Sequence, residues 1–313
     1  MLHIVGIGVK YDVKDQAMRI GYRIGVLSII GMTFLGSCAK VPVLEPAKPF
    51  VGQPRVALVL GGGAARGFAH VGVIRVLEQE KIPIHMIVGT SVGALIGGIY
   101  AADPNSFHLE WLAFQIQKDD LFDFSILSSR LGPVRGDRLE KFVSDQVKVR
   151  SIEQLKIPFY AVATELSTGN LVVFDKGPLA RAIRASAAIP GLFHPVEIDG
   201  KLYVDGGVID NLAVDVARAR GATVIIAVSI QKDIVNTQIS SLLDVVLQSV
   251  DIMGRELVRY KSNDYDVLIE PDVGDVGTTD FSQKKRLLEE GITAAGEAVP
   301  RIQAILREQG FSG

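Results

Sequence analysis

The segment "VALVLGGGAARGFAHVGVIRVLEQEKIPIHMIVGTSVGALIGG", residues 56–98, decides the fold class of this chain. It contains two apolar runs, at residues 56–60 and 84–88, and each run is followed by glycines and then by a helical pattern. Short apolar runs that lie between glycine turns and helices are typical of buried strands joined by crossover helices. The segment therefore predicts an α/β fold with a mainly parallel central sheet.

The same alternation continues through the rest of the chain. Further strands are predicted at residues 159–164, 223–229 and 266–270, with a hairpin to residues 171–174 and a short strand that ends at Asp205. Helices are predicted at residues 68–79, 94–100, 137–146, 179–187, 213–219, 239–261 and 282–307. In the 239–261 helix, apolar side chains recur at helical spacing, namely Ile239, Leu242, Leu243, Val246, Val250, Met253 and Leu257. This stripe predicts packing against the core, and the lysine-poor polar face disfavours a membrane-surface role.

Composition limits the classes of function. The 313 residues are 48% hydrophobic with a formal net charge of -2, which is ordinary for a globular protein with a substantial core. A near-neutral charge disfavours nucleic acid as a partner, because phosphate binding needs a basic excess. The single cysteine, Cys38, rules out an intramolecular disulfide and a four-cysteine metal site.

The segment "MRIGYRIGVLSIIGMTFLGSCAK", residues 18–40, has two arginines, a short apolar run and small residues before Cys38. This pattern is that of a secretory signal peptide, and residues 35–38 resemble the lipobox at which bacterial lipoproteins are acylated. Asp12 and Asp15 suit the start of a signal peptide poorly, which favours translation from Met18 over Met1. An uncleaved anchor or an ordinary signal peptide is the alternative interpretation.

These features predict a division of the chain into a signal peptide at residues 1–37, a proline-rich tether at 38–54 and a globular domain at 55–313. The domain includes a helical C-terminal part from about residue 236. We expect the protein to be attached to a membrane of the bacterial cell envelope through lipidated Cys38. The sequence carries no indication of oligomeric state.

The glycines of the opening segment fit a dinucleotide site poorly. Gly61, Gly63 and Gly67 form G-x-G-x-x-x-G, which is one residue longer than the fingerprint. The acidic residues Glu78 and Glu80 lie inside the following helix and not at the end of the next strand. We therefore predict no nucleotide ligand.

The GTSVG motif, residues 89–93, is typical of a serine nucleophile on a sharp strand-to-helix turn. Gly89 and Gly93 provide room for that turn, and the following helix directs its positive N-terminal end at Ser91. A tight glycine turn with an unreactive serine is the alternative. The glycine loop follows a neighbouring parallel strand, so its N–H groups are expected at the same edge of the sheet.

An acyl-transfer nucleophile needs hydrogen-bond donors for the oxyanion that forms in the reaction. Gly62, Gly63 and Ala64 are the predicted donors. For Arg66 two roles remain open: an ion pair that steadies the loop, or attraction of an anionic head group.

The base that would activate Ser91 is less evident. Of the histidines after Ser91, His108 and His194 have no surrounding pattern of a catalytic loop; His70, at the start of a helix, could approach the site, but a packed or capping histidine is commoner. A histidine triad is therefore poorly supported. Asp205 lies in "LYVDGGVIDNL", residues 202–212, and is followed by two glycines that allow close approach of another loop. Asp-Gly is also an ordinary turn signal, so a simple turn is the alternative.

Three motifs in this order, GGGAARG, GTSVG and DGG, resemble the patatin-like phospholipase family. The segments "ATELSTG" (163–169) and "ASAAIPGLFHPV" (185–196) are also similar to that family, and the likeness extends over residues 55–228. One departure is that Asn211 is followed by Leu212 and Ala213, where the family often has Asn-x-Pro.

The resemblance implies a three-layer α/β/α fold and a Ser–Asp dyad, with Ser91 as nucleophile and Asp205 as proton acceptor. It further implies an oxyanion hole in the glycine loop, no metal and no dissociable cofactor. The supporting positions are Gly61, Arg66, Gly67, Gly89, Gly93, Gly206 and Gly207.

The expected function is that of a serine hydrolase that cleaves acyl esters of membrane phospholipids or lysophospholipids. Acyl transfer to an acceptor other than water and hydrolysis of neutral glycerides remain open. A lipoprotein that binds lipid without catalysis is the non-enzymatic alternative.

Overall fold

One eight-stranded sheet runs through the part of the chain that the computed structural model describes, residues 55–124, 132–232, 234, 239–261 and 264–311. The strands are β1 (Val56–Leu60), β2 (Met86–Thr90), β3 (Phe159–Glu165), β4 (Leu171–Phe174), β5 (Val196–Ile198), β6 (Lys201–Asp205), β7 (Val224–Val228) and β8 (Val267–Ile269). Their order is β5-β6-β3-β2-β1-β7-β8, and β4 also pairs with β3. From β3 to β8 all neighbours are parallel, whereas β4, β5 and β6 are antiparallel additions.

Helices cover both faces of the sheet. They are α1 (Phe68–Gln79), α2 (Val92–Ala102), α3 (Ser106–Gln115), α4 (Lys118–Leu121), α5 (Asp137–Gln146), α6 (Leu179–Ser186), α7 (Val214–Ala219), α8 (Leu242–Lys261) and α9 (Lys284–Glu308). In β1, Leu58 and Leu60 join a core shared with α1, α2 and α9, while Ala57 and Val59 join a second core with α7. The expected α/β fold with a mainly parallel central sheet is therefore confirmed.

Burial explains why β1 is an uninterrupted apolar run. All five of its residues are buried, because helices pack against both sides of the sheet at this position. A strand of an antiparallel sheet with one wet face would instead alternate apolar and polar residues. The pattern in the sequence thus reflects the central position of β1 between β2 and β7.

The second strand begins and ends later than predicted. It was expected at residues 84–88 but spans Met86–Thr90, because its pairing with β1 runs from Met86, opposite Ala57, to Gly89, opposite Leu60. The first two residues of the GTSVG motif are therefore part of the strand. Ser91 follows directly at the edge of the sheet.

The helix α8 differs from its prediction as a core helix. Leu243 and Leu247 pack against the larger core, but Ile239, Leu242 and Met253 of the predicted stripe are exposed. Three elements were not predicted: α3, α4 and β5. The helix α3 lacks a one-sided apolar pattern because apolar residues occupy both its buried and its exposed side.

The predicted signal peptide, the lipobox with Cys38 and the tether at 38–54 lie outside the described residues. Among the helices that the structure describes, none combines the length and apolar character that crossing a bilayer requires.

Candidate active site

Ser91 occupies a strained turn between β2 and α2. Its backbone has φ 56° and ψ −123°, a conformation that non-glycine residues rarely adopt and that costs on the order of 1–3 kcal/mol. The Ser91 N–H donates to Oγ of Ser186 at 3.0 Å, and its carbonyl accepts from the N–H of Ala94 at 2.9 Å. These bonds hold the serine at the edge of the sheet.

Close packing of α2 against β1 explains why position 93 is glycine. A Cβ atom on Gly93 would lie 2.1 Å from the carbonyl oxygen of Leu60. The absence of that atom lets the first turn of α2 reach the end of β1, from which the glycine loop starts. The two glycine-containing turns are thereby neighbours in space.

The pairing of β3 explains how Asp205 reaches the serine. On one edge of β3, Val162 pairs with Thr90 of β2. The next residue, Ala163, pairs with Asp205 of the antiparallel strand β6, and β4 occupies the opposite edge of both positions. Thr90 and Asp205 are therefore consecutive along the same edge, so the carboxyl ends of β2 and β6 meet and place Asp205 beside Ser91.

The carboxyl group of Asp205 is in an environment that disfavours charge. The residue is only 6% exposed, and this burial raises its pKa from 3.8 to about 6. Hydrogen bonds from the Ser91 hydroxyl and from the N–H of Gly207, the latter at 2.8 Å, lower the pKa in part. The carboxylate is thus more basic than an ordinary aspartate and lines the same hollow as Ser91.

The glycine loop lies against Ser91, but one of its three predicted donors is occupied. The Gly62 N–H donates to the backbone carbonyl of Asn211 at 3.3 Å and to its Oδ1 at 3.1 Å. A Cβ atom on Gly62 would lie 2.4 Å from that Oδ1 and 3.0 Å from Cβ of Ser91. The expectation of a free donor at Gly62 is therefore not met, because Asn211 takes up its N–H.

Gly63 and Ala64 differ from Gly62 in this respect. Within the described part of the chain, the N–H groups of these two residues have no hydrogen-bond acceptor. Both residues line the same hollow as Ser91 and Asp205. Two adjacent backbone donors are therefore available next to the serine.

Arg66 forms an ion pair and is not open to solvent. Its guanidinium contacts the carboxylate of Asp251 on α8 at 3.0 Å and donates to the carbonyl of Val276 at 3.3 Å. Lys232 contacts the other oxygen of Asp251 at 3.2 Å. Of the two roles considered for Arg66, the structure shows the ion pair that fastens the glycine loop to α8.

The remaining predicted positions surround this centre. The Gly61 N–H donates to the carbonyl of Val228 at 3.0 Å, which continues the β1–β7 pairing. Gly67 ends the short 3₁₀ helix Ala64–Gly67, and Gly89 lies in β2. Gly206 and Gly207 begin the 3₁₀ helix Gly206–Val208, directly after Asp205.

Two cavities adjoin Ser91, and no histidine among the described residues lines either of them. His70 is buried, and its Nε2 lies 2.8 Å from the carbonyl of Gly61; burial lowers its pKa to about 4. His194 contacts the carbonyl of Gly132, and His108 pairs with Asp103. These contacts are consistent with structural roles for the three histidines considered above.

Two cavities meet at Ser91. The first has about 800 Å³ of empty space, part of it open to solvent, and is lined almost entirely by apolar side chains, among them Leu95, Ile99, Leu112, Phe122, Phe142 and Phe193. The second has about 490 Å³ of empty space, also partly open to solvent, and mixed walls whose polar members are Arg66, Asp205, Asn211, Gln231, Asp251 and Thr278. Ser91, Ala64 and Ile189 belong to both. The serine hydroxyl therefore lies where an apolar and a polar part of one ligand would join.

Sequence reasoning missed two residues that position the site. Ser186 accepts from the Ser91 N–H and donates through Oγ to the carbonyl of Val162 at 2.6 Å. Asn211 holds Gly62 by the bonds described above and through Nδ2 to the Gly62 carbonyl at 3.3 Å. Ser186 lies in the segment 185–196, whose similarity to the family was noted, whereas Asn211 was noted only where the chain departs from the family's Asn-x-Pro pattern. Among the described residues there is no cluster of three or more His, Cys, Asp or Glu side chains that could hold a metal ion.

Residues 58–218 match the family model described as "Patatin-like phospholipase". An uncharacterized NTE family protein of Mycobacterium tuberculosis is 44% identical over 178 residues, which cover 57% of this chain and 49% of that protein. Lysophospholipase NTE1 of Mycosarcoma maydis is 38% identical over 181 residues, which cover 56% of this chain and 10% of that protein. The matched region thus spans half or less of these relatives.

A crystal structure of VipD from Legionella pneumophila has a similar fold. It superimposes with a TM-score of 0.57 at 15% identity, over 81% of this chain and 67% of that one.

Proposed function

Because this chain belongs to the patatin-like phospholipase family, we propose that it is a serine lipid acyl hydrolase in which Ser91 and Asp205 form the catalytic dyad. The observation that carries the proposal is that a serine in a strained backbone turn and a buried carboxylate, whose pKa is raised to about 6, line the same hollow. The family and its lysophospholipase relative support lipid hydrolysis. The dyad, the oxyanion donors and the substrate class are our proposals.

In the proposed reaction, Oγ of Ser91 attacks the ester carbonyl carbon while its proton passes to the Asp205 carboxylate. The N–H groups of Gly63 and Ala64 bind the resulting oxyanion. Asp205 then gives the proton to the departing alcohol oxygen, which leaves an acyl group on Ser91. Water, deprotonated by Asp205, attacks this acyl-enzyme, and the fatty acid departs as the Ser91 hydroxyl is restored.

The two cavities favour an amphiphilic ester as substrate. The apolar cavity has the lining of a pocket for an acyl chain, and the cavity next to it has more polar walls that suit a head group. A single apolar cavity fits a lipid with one acyl chain better than one with two or three. We therefore propose lysophospholipids as preferred substrates.

The experiment that tests this function compares three lipids with the same acyl chain: lysophosphatidylcholine, phosphatidylcholine and triacylglycerol. The purified full-length protein is expected to release free fatty acid, measured by mass spectrometry, fastest from the lysophospholipid. A fluorophosphonate probe is expected to label Ser91. Folded protein that binds lipid but releases no fatty acid and takes no label would instead be a lipid-binding lipoprotein. Transfer of the acyl chain to a second lipid would indicate an acyltransferase.

We also propose that the chain is a lipoprotein of the bacterial cell envelope, acylated at Cys38 after removal of residues 1–37. A lipid anchor would keep the site near its substrate, because diffusion within a membrane replaces extraction of the lipid into water. Mass spectrometry of protein isolated from a bacterial host is expected to show an acylated N-terminal cysteine. An unmodified N-terminus at Met1 or Ala39 would contradict the proposal.

A further inference from the structure

Three aromatic side chains of α3 point into solvent on one side of the helix. Phe107, Trp111 and Phe114 are 79%, 54% and 42% exposed, and their spacing of four and three residues places them on one face. Isolated exposed apolar residues are common, but a contiguous aromatic face on a short helix indicates an interaction surface. We call these three residues the aromatic face of α3.

The opposite side of the same helix forms part of the apolar cavity. Leu109, Leu112 and Ala113 are buried and line the space that reaches Ser91. A helix with its side chains is only about 10–12 Å across. The aromatic face and the wall of the proposed acyl-chain cavity are therefore the two sides of one helix.

We propose that the aromatic face of α3 inserts into the head-group region of a phospholipid bilayer and holds the apolar cavity next to the lipid. Trp favours this interfacial zone because its ring is apolar and its N–H is polar, and aromatic rings anchor proteins there generally. This contact is separate from any lipid at Cys38. The benefit of the contact, which is to hold the cavity next to lipid, rests on the proposed function, but insertion of the aromatic face is measured without catalysis.

The two ionisable side chains of α3 itself are paired with charges on other elements. Glu110 contacts Arg75 at 3.0 Å, and Asp103 contacts both His108 and Lys156. With no basic excess on this helix, attraction to anionic lipids contributes little. Binding is therefore expected to depend on apolar insertion and to change little with salt or with lipid charge.

A second copy of the chain fits this face less well than a bilayer. At 150–250 Å² for a whole aromatic side chain, the exposed parts of the three rings amount to roughly 250–450 Å². A stable protein interface buries about 800 Å² on each partner. Insertion of a few aromatic anchors into an interface between lipid and water has no such requirement of area.

Trp111 is the only tryptophan of the chain, so its fluorescence reports on this face alone. The test uses full-length protein with Ser91→Ala, which removes the proposed nucleophile, and vesicles of phosphatidylcholine with and without phosphatidylglycerol. A blue shift of the Trp111 emission and quenching by lipids brominated on the acyl chains are expected with both compositions. Trp111 emission that stays unchanged when vesicles are in large excess over protein would overturn the inference.

Two double variants with the Trp reporter retained localise the contact. Phe107→Ser with Phe114→Ser is expected to shift the equilibrium between inserted and exposed Trp111 at least about tenfold towards exposure, as read from bromolipid quenching, which a lipid anchor at Cys38 does not affect. The matched control, Leu166→Ser with Leu202→Ser, removes two exposed apolar residues elsewhere and is expected to bind like the parent. Circular dichroism checks that each variant is folded.

Three results would contradict the inference. The first is that Ile252→Ser with Met253→Ser on α8 loses binding while the α3 variant keeps it. The second is binding only to anionic vesicles with a steep salt dependence, and the third is a dimer that the α3 variant dissociates. Failure of the function is a distinct result. If the unsubstituted protein releases no fatty acid from any lipid while Trp111 still enters the bilayer, the hydrolase proposal fails, but the inference that the aromatic face contacts the membrane holds.

Discussion

Replacing Ser91 with alanine is expected to lower the rate of ester hydrolysis about 10⁴- to 10⁶-fold, as removal of a catalytic serine does in other serine hydrolases. The physical reason is that, among the described residues, Ser91 is the only one with a hydroxyl, thiol or amine side chain that lines both cavities, and the N–H groups proposed to bind the oxyanion lie next to it. The measurement is kcat/KM for fatty acid release from lysophosphatidylcholine. Fluorophosphonate labelling should disappear with the activity.

The matched control for this prediction is His194→Ala. His194 contacts the carbonyl of Gly132 and lines neither cavity, so this variant is expected to keep most of the activity. If His194→Ala were inactive and folded while Ser91→Ala kept its activity, the dyad mechanism would have to be abandoned. Thermal unfolding of both variants shows whether a loss of activity is a loss of fold.

The second large effect is expected from Asp205→Asn. The amide oxygen of asparagine still accepts the Gly207 N–H but cannot take the Ser91 proton, so hydrolysis should fall about 10³- to 10⁴-fold. Activity of the unsubstituted enzyme should in turn rise with pH through about 6 and level off above it, because the base must be ionised. A pH–rate profile without a step near 6 would show that Asp205 does not act as the base.

The same substitution is expected to stabilise the fold at neutral pH. The folded-state pKa of Asp205, about 6, lies above its ordinary value of 3.8, so the native state binds more protons than the unfolded state between these two pH values. Stability contributed by this group is therefore full below pH 4 and is lost as the pH rises through 6. Asparagine carries no charge, so Asp205→Asn should recover on the order of 2–3 kcal/mol at pH 7 to 8 and nothing near pH 4.

The control for the stability effect is Asp199→Asn in the exposed turn between β5 and β6. It makes the same chemical change on the same hairpin, at a position where asparagine tolerates the positive φ of 51°. Its unfolding midpoint and activity should match those of the parent at every pH. An equal gain in both variants, or a decrease at pH 7 in Asp205→Asn, would show that the buried charge is not costly.

Local sequence pattern predicted the strands and their glycine turns because these features depend on neighbours along the chain. The apolar run of β1 and the GTSVG turn require no knowledge of distant residues. The boundaries of β2 were displaced by two residues, since pairing with β1 sets them. The helix α3 was not predicted, because its exposed aromatic residues remove the one-sided distribution of apolar residues by which an amphipathic helix is recognised.

The sequence alone determined the α/β class, the glycine-flanked turn at Ser91 and the family, because continuous apolar runs and short motifs are legible within a few neighbouring residues. Only the tertiary structure decided which groups meet. Asp205 reaches Ser91 because β3 pairs with the ends of β2 and β6 along one edge, and Asn211 takes the N–H of Gly62 because the loop after β6 folds over the glycine loop. Such contacts depend on the register of the sheet, which couples residues far apart in the chain and leaves no local trace.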